Sequence, residues 1–287
     1  MSRFRGSERA TIAAPMPALR EAEATASVNT ADLARRVFSP IARDYDRPAR
    51  LLSLFQYRRW HRFLLSRLEL PPVPPAWSGK GLRSARAEAL VGRAAATAPL
   101  RVLDMATGTG ALAFDILSCT DANVTGADIT RPMLRQAQAR ADGRRDARLT
   151  LVECSAESPP FARESFDAVA FAYLLRYVSD VPTTLRGLAR LLKPGGMIAS
   201  LDFAIPRGVW YPLWRLYTDV ALPSYGRLFS RHWRDVGAFL GPSIRGFYSR
   251  WPEERLLDAW RDAGFADVRS RRLSLGGAVV VWGTKAK

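Results

Sequence analysis

The sequence has 287 residues, enough to bury one large core, so we expect one main domain with an N-terminal extension rather than two equal domains. Its 43 Lys and Arg residues outnumber 27 Asp and Glu residues, and the net charge of +16 favours either an anionic partner or an origin in an arginine-rich proteome. Two cysteines and two histidines are too few for a disulfide framework or a zinc site, and we expect no metal. No apolar run reaches the roughly 20 residues that span a bilayer. We therefore expect a cytoplasmic protein, in solution or peripheral at the inner face of the membrane.

The first 98 residues are predicted to lie outside the main domain. Residues 1–30 mix Arg, Ser, Ala and Pro without periodicity, which predicts a disordered tail. A transit peptide has a similar composition, but three glutamates in this segment count against it. Residues 31–98 are predicted to be a helical extension and a linker, with a proline-rich connection and a short helix at about 85–96 before the first strand.

One predicted helix in the extension has an aromatic face with basic flanks. The apolar residues that share this face are Trp60, Phe63, Leu64 and Leu68. Arginines crowd around them, a pattern that fits a helix resting on anionic lipid as well as a helix packed on the domain. Peripheral membrane contact through these basic N-terminal helices is therefore one expectation, and packing is the other.

The most informative stretch runs from Arg101 to Gly110 and reads RVLDMATGTG. An apolar run ends in Asp104, a glycine-bearing turn follows, and a helical pattern begins at Ala111. This order predicts a strand, a tight turn and a helix. Gly108 and Gly110 permit positive φ angles and leave no Cβ between the backbone and a ligand. The turn is therefore a candidate ligand site.

A second predicted strand, from Asn123 to Asp128, also ends in a carboxylate. An acidic side chain at this point of a βαβ unit binds the two hydroxyl groups of a ribose. The glycine-bearing turn and this carboxylate leave two ligands open at this stage, a dinucleotide or S-adenosylmethionine.

The spacing of the first turn decides between these ligands. A dinucleotide site needs the pattern G-x-G-x-x-G, so that a pyrophosphate sits on the helix N-terminus. Here Asp104 precedes the glycines, and no glycine follows Gly110 three residues later. A carboxylate there repels phosphate but suits an ammonium group. The run resembles motif I of the class I S-adenosylmethionine-dependent methyltransferases.

This resemblance implies a set of cofactor-binding residues. Asp104 would fix the amino group of S-adenosylmethionine and Asp128 its ribose, while Ser155 would hydrogen-bond the adenine amino group. The full set of predicted cofactor-binding residues is Asp104, Ala106, Thr107, Gly108, Gly110, Asp128, Ile129, Ser155 and Ala156.

The rest of the chain alternates predicted strands and helices. Further strands are predicted at about 148–153, 166–171, 197–203, 266–273 and 278–284. A helix that opens at Asp180 is predicted to close at Lys193-Pro194-Gly195-Gly196. This order predicts an α/β fold, a Rossmann-like doubly wound and mostly parallel seven-stranded sheet within residues 99–287, with its ligand at the carboxyl ends of the strands. The aromatic-rich segment at about 205–250 is predicted to be a helical cap inserted after the fifth strand, either roofing an apolar pocket or forming its own core.

Several segments resemble one branch of this fold, the ubiquinone and menaquinone C-methyltransferases of the UbiE/COQ5 family. The segments that carry the resemblance are FSPIARDYD at 38–46, DMATGTG at 104–110, SFDAV at 165–169, LRYVSD at 175–180, LKPGG at 192–196 and AGF at 263–265. The chain departs from the family at Ser155 and Tyr177, where the family has Asp and Asn, and at Trp282, where it has His.

The resemblance implies a hydrophobic aromatic substrate, namely a prenylated quinol that is methylated on a ring carbon. Arg176 would hold the phenolate, because a guanidinium stays charged and offers a planar fork of donors. Tyr45 would position the ring hydroxyl or relay its proton. These two residues are the predicted catalytic residues, and a homodimer is a further expectation.

Three other functions compete with this one. A methyltransferase that acts on another lipid or on a secondary metabolite fits all the cofactor residues and tolerates the departures. A nucleic-acid methyltransferase would explain the charge, but Ala172-Tyr173-Leu174-Leu175 is not the Asn/Asp-Pro-Pro-Tyr/Phe sequence of the amino-group enzymes. A non-catalytic subunit that binds the cofactor without turnover is the third.

Overall fold

The computed structural model describes residues 30–71 and 99–286. The predicted tail, apart from Thr30, and the predicted helix at about 85–96 lie outside these residues. The N-terminal extension contains three helices, α1 (Thr30–Phe38), α2 (Asp46–Leu52) and α3 (Tyr57–Leu65), and a 3₁₀ turn at Ser39–Asp44 joins the first two.

The main domain is built on one seven-stranded sheet. Its strands are β1 (Arg101–Met105), β2 (Asn123–Asp128), β3 (Leu149–Glu153), β4 (Phe166–Ala172), β5 (Leu192–Phe203), β6 (Phe265–Leu273) and β7 (Ala278–Lys285). They lie in the order β3-β2-β1-β4-β5-β7-β6, and the first five are parallel while β7 runs antiparallel to both of its neighbours. The order reverses between β1 and β4, which places a crevice at the carboxyl ends of these two strands.

Helices cover both faces of the sheet. They are α4 (Ala111–Cys119), α5 (Arg131–Arg144), α6 (Val181–Leu191) and α10 (Glu253–Asp262). One core contains Leu185 and Leu188 of α6 with Trp260 of α10, and the other contains apolar residues of α3 and α4. Both cores include strand residues, so the predicted doubly wound α/β fold is confirmed.

The aromatic face of α3 belongs to the second core. Trp60, Leu64 and Leu68 are buried, and the ring of Phe63 lies 6.0 Å from that of Trp282 on β7. This face therefore packs on the domain, the second of the two expectations, and it is not exposed to lipid. Only the exposed arginines of α3, such as Arg58 and Arg59, remain available to an anionic surface.

Two features of the chain after β4 matter for the site. The strand β5 begins at Leu192, five residues before the predicted start, because Leu192 pairs with Phe166 and a register shift then accommodates Gly195 at φ +76°. The prediction that Lys193-Pro194-Gly195-Gly196 ends the preceding helix was therefore wrong, and α6 ends at Leu191.

After β5 the chain forms α7 (Trp210–Leu216), a π-helical turn (Tyr217–Ala221), α8 (Leu222–Phe229) and α9 (Arg231–Arg250), the predicted helical cap. None of the helices in the described ranges is long and apolar enough to cross a membrane.

Candidate active site

The turn after β1 places a carboxylate at the bottom of the crevice. Asp104 is buried in the sheet, and its Oδ2 accepts a hydrogen bond of 2.6 Å from the hydroxyl of Thr107. The chain then turns sharply, with φ +62° at Ala106 and φ +55° at Gly108. A left-handed conformation at a residue other than glycine is unfavourable, and it is retained where surrounding structure enforces it, often at functional sites.

Asp104 has an unsatisfied oxygen. Its Oδ1 is buried and makes no hydrogen bond with any described residue. Burial raises the pKa of this carboxyl to about 7, and the nearby charge of Asp128 adds to the shift, while the Thr107 hydroxyl and the amide of Ala113 oppose it. A cation bound at Oδ1 would restore the ionised form, because an opposite charge lowers the pKa of a carboxylate.

Asp128 stands at the end of the neighbouring strand. Its Oδ2 accepts a hydrogen bond of 2.8 Å from the amide of Gly108, and its Oδ1 accepts one of 2.7 Å from the amide of Thr130. These backbone donors fix the carboxylate, although burial raises its pKa above the ordinary value. Since each oxygen keeps a second lone pair, the carboxylate can still accept from a pair of vicinal hydroxyl groups.

A cleft of about 950 Å³, partly open to solvent, connects these two carboxylates. Eight of the nine predicted cofactor residues line it: Asp104, Ala106, Thr107, Gly108, Asp128, Ile129, Ser155 and Ala156. Gly110 does not line it. Instead, Gly110 precedes α4 at φ +81°, where a Cβ would come within 2.9 Å of the Phe114 ring. Packing against Phe114 thus accounts for a glycine at this position, and the contact of Gly110 with the ligand stays a prediction.

The chemistry of the cleft fits S-adenosylmethionine. The unpartnered Oδ1 of Asp104 suits the ammonium group, and Asp128 suits the ribose hydroxyls. The hydroxyl of Ser155 accepts a bond of 3.2 Å from the amide of Glu157, which leaves its own proton free for an acceptor. This donor cannot serve an adenine amino group, so the predicted contact would need Ser155 to use its remaining lone pair.

The N-terminal signature closes one side of the cleft. Phe38 and Tyr45 both line it, and Asp46 ties this segment to the turn after β1. The Oδ1 of Asp46 accepts a 2.7 Å bond from the Thr109 hydroxyl, and its Oδ2 lies 2.9 Å from Arg140 Nη1. The resemblance at 38–46 thus corresponds to a segment that docks on motif I.

A second, larger cavity of about 1230 Å³, also partly open to solvent, adjoins the cleft. Five aromatic residues line both cavities and form what we call the aromatic collar: Phe38, Tyr45, Tyr57, Tyr173 and Tyr177. Beyond the collar the walls are mostly apolar, from α2, α3 and the helical cap. A group bound in the cleft can therefore meet an apolar molecule bound in the second cavity, which we call the apolar cavity.

Arg176 lies in the wall of the apolar cavity as half of a buried ion pair. Its Nε is 3.0 Å from Oδ1 of Asp202, and the Arg176 side chain is 1% exposed. Burial disfavours the charged guanidinium, but the charge of Asp202 outweighs this and raises the pKa of Arg176 above its ordinary value. Nη1 of Arg176 is buried and lacks a hydrogen-bond partner among the described residues. A fixed cation with a free donor therefore lies in the cavity wall.

The phenols of the collar are neutral. Burial raises the pKa of Tyr45 above the ordinary value, and the same cause raises the pKa of Tyr57, Tyr173 and Tyr177. Tyr45 can thus donate a hydrogen bond to a ring oxygen, but it is not a base near neutral pH. The apolar cavity has no Asp, Glu or His among the described residues that line it.

Sequence reasoning missed two residues here. Tyr173 follows β4 with φ +60°, and its buried hydroxyl has no partner in the described ranges. Asp202, near the end of β5, holds Arg176 in place. The position of Asp202 at the end of a predicted strand was a usable signal, whereas no sequence pattern marks the backbone of Tyr173.

The sheet order, the crevice and the paired carboxylates define a class I methyltransferase fold, and solved structures agree. A possible histamine N-methyltransferase from Thermotoga maritima superposes with a TM-score of 0.54 at 18% identity, covering 88% of this chain and 99% of that one. The putative methyltransferase bound to the Trm112 activator of Haloferax volcanii gives 0.54 at 16% identity, over 87% of this chain and 98% of its own. At these identities the likeness establishes the fold.

Sequence comparison gives the family. The profile of the ubiE/COQ5 methyltransferase family matches residues 83–285. The ubiquinone/menaquinone biosynthesis C-methyltransferase UbiE of Desulfotalea psychrophila is 33% identical over 87% of this chain and 89% of its own. The protein of the same name from Geobacter sp. is 35% identical over 88% and 95%. This chain belongs to the ubiE/COQ5 methyltransferase family, and it is an S-adenosylmethionine-dependent enzyme.

Proposed function

We propose that the protein transfers a methyl group to a ring carbon of a prenylated quinol. One observation carries the proposal: the cofactor cleft opens through the aromatic collar into the apolar cavity, whose wall holds Arg176. A quinol ring needs flat aromatic walls and a donor for its oxygen, and its prenyl chain needs apolar volume. The names of the relatives support the same substrate class.

When bound, S-adenosylmethionine supplies an electrophilic methyl group, and the protein supplies orientation, exclusion of water and control of one proton. Asp104 would hold the amino group and Asp128 the ribose, one on each side of the sulfonium, so that the methyl group faces the collar. The apolar walls keep water away from the reacting carbon.

The proton step would depend on Arg176. A quinol becomes a strong carbon nucleophile when its hydroxyl ionises, and a guanidinium within hydrogen-bond distance lowers the pKa of that hydroxyl. Nη1 of Arg176 is free to donate. Tyr45, a neutral phenol in the collar, would donate to the other ring oxygen and orient the ring. The hydroxyl proton would pass to solvent before the methyl group leaves the cofactor sulfur. Once the carbon–carbon bond has formed, the proton on the methylated carbon would return, by way of a water molecule, to the ring oxygen that Arg176 holds, which restores the aromatic quinol.

A test compares quinones from cells that contain or lack this protein. We expect cells without it to accumulate a quinone that is lighter by one methyl group, and the purified protein to methylate this species once it is reduced to the quinol. An unchanged quinone pool would reject the proposal and leave the alternative, a methyltransferase for another lipid or a secondary metabolite. We also propose that the protein works in the cytoplasm, peripheral at the inner face of the membrane.

A further inference from the structure

The exposed large apolar side chains of the described residues are concentrated around one opening. They fall in three segments, the turn at 51–56, the cap helices at 209–229, and the 3₁₀ turn at Ser274–Gly276. Examples are Phe55 at 63% exposure, Leu213 at 56% and Leu228 at 77%. Soluble proteins scatter such side chains singly, whereas a contiguous apolar patch marks an interaction surface.

Direct bonds hold the three segments together. The Tyr217 hydroxyl of the cap donates to the carbonyl of Leu52 in the first segment. The Ser274 hydroxyl donates to Gln56 over 3.3 Å and accepts a 2.8 Å bond from Trp60 Nε1. The three segments thus form one surface, which we call the cap patch.

The cap patch borders the apolar cavity. Each of its three segments also contributes to the wall of that cavity, through Leu54, Trp214 and Ser274 among others. An apolar molecule that enters or leaves the cavity on this side therefore passes the exposed apolar side chains.

The charge around the patch is basic. Residues 47–68 contain six Arg and no acidic residue, and residues 203–234 contain five Arg and one Asp. That aspartate, Asp219, is already paired with Arg215 and Arg245. The exposed arginines Arg47, Arg50, Arg58, Arg59, Arg227 and Arg231 form no ion pair with a described residue.

We propose that the cap patch docks on the surface of an anionic phospholipid bilayer, inserting the apolar side chains of 51–55 and of the cap helices while the arginines contact lipid phosphates. Exposed apolar side chains with arginines around them suit an anionic bilayer surface. Burial of the apolar side chains and attraction between the arginines and the lipid phosphates both contribute to binding. This surface differs from the aromatic face of α3, which is buried in the core. The proposal does not depend on the identity of the methyl acceptor.

The experiment is sedimentation of the full-length protein with phosphatidylcholine vesicles, with and without phosphatidylglycerol. We expect strong binding only with phosphatidylglycerol, and weaker binding in high salt. The variant Phe55→Ser/Leu213→Ser/Leu228→Ser should bind about tenfold more weakly, since three inserted side chains are lost. Arg50→Gln/Arg58→Gln should also bind about tenfold more weakly.

The matched control is Arg163→Gln/Arg190→Gln. This variant removes the same charge at the opposite end of the sheet. There the amide of Glu164, just before β4, donates a hydrogen bond to the carbonyl of Arg190. We expect this variant to bind vesicles like the wild type. Unchanged thermal unfolding and unchanged binding of S-adenosylhomocysteine show that each variant is folded.

The proposal is overturned if the wild type binds neither vesicle, or if the triple serine variant binds as tightly as the wild type. Light scattering adds a third test. A wild-type dimer that the serine variant converts to a monomer, together with absent vesicle binding, would make the patch an interface between two copies of this chain.

Discussion

Arg176 and Asp202 form a buried ion pair with Nε 3.0 Å from Oδ1, and Arg176 lies in the wall of the apolar cavity. Two buried charges with apolar surroundings are stabilised chiefly by each other. Because Nη1 of Arg176 has no partner among the described residues, the pair also presents an unused donor. The structural and the functional roles of Arg176 can therefore be separated by experiment.

Replacing Arg176 alone leaves Asp202 as an unpaired buried charge. We expect Arg176→Gln to lower the free energy of unfolding by about 3–5 kcal/mol and turnover by about a hundredfold, since phenolate stabilisation is lost. The double variant Arg176→Gln/Asp202→Asn removes both charges and keeps a polar amide at each position. It should recover most of the stability in denaturant unfolding but little of the turnover. Turnover of the double variant within a factor of about two of the wild type would remove Arg176 from the mechanism.

The pKa of Asp104 makes cofactor binding dependent on pH. Burial raises this pKa to about 7 in the unliganded protein. Below that pH the carboxyl group is neutral and loses its attraction for an ammonium group, so affinity falls as the pH falls. We expect S-adenosylhomocysteine to bind about tenfold more weakly at about pH 5.5 than at about pH 7.

Calorimetry in buffers of different ionisation enthalpy measures this linkage, because binding near pH 6.5 should release a proton. Asp104→Asn is the control: it should bind weakly at every pH and release no proton. A wild-type affinity that stays constant between these pH values would show that Asp104 does not bind the ammonium group.

Tyr173 combines an unfavourable backbone conformation with an unsatisfied hydroxyl in the collar. Removing an unpaired buried hydroxyl is stabilising, so Tyr173→Phe should raise the free energy of unfolding by about 1 kcal/mol. If the hydroxyl contacts the acceptor or the methyl donor, turnover should fall about tenfold. Tyr211→Phe, on the exposed side of the cap, should change neither quantity. If the Tyr173→Phe enzyme keeps full activity, Tyr173 lines the cavity but takes no part in the reaction.

The two glycines of the turn should respond differently to alanine. At Gly110 a methyl group meets the Phe114 ring at 2.9 Å and the φ angle is +81°, so we expect a loss of about 2–3 kcal/mol in unfolding free energy. At Gly108, no atom lies within 4 Å of the added Cβ, and φ is +55°. There the loss should be about 1 kcal/mol, with a larger drop in cofactor affinity, because Gly108 lines the cleft. Thermal unfolding and calorimetric titration measure the two effects, and equal responses at both positions would contradict these roles.

Strand ends were predictable from the sequence because they carry local signals. Asp104 and Asp128 each end an apolar run, and parallel strands bring such ends to one edge of a sheet. The features that could not be predicted depend on tertiary contacts. The basic and aromatic sequence of α3 fits a lipid surface and a packed helix equally well. Only the contacts of α3 with the sheet show that its aromatic face is buried. The start of β5 was missed because proline and paired glycines resemble a helix end, whereas pairing with Phe166 extends the strand.

The site shows the same limit. Arg176 was predicted from a family resemblance, but its partner Asp202 lies 26 residues later and is brought close by the pairing of β4 with β5. Gly110 is predicted to contact the ligand because glycine turns usually approach one, and the close approach of Phe114 gives a second reason for glycine that only the folded chain reveals.

The most direct test of the proposed function uses the purified protein, S-adenosylmethionine with a deuterated methyl group, and a prenylated quinol that lacks one ring methyl. We predict a product heavier by one deuterated methyl group, with the label on a ring carbon by nuclear magnetic resonance. A label on oxygen, or no product from the quinol while the protein still binds S-adenosylhomocysteine, would contradict carbon methylation of a quinol.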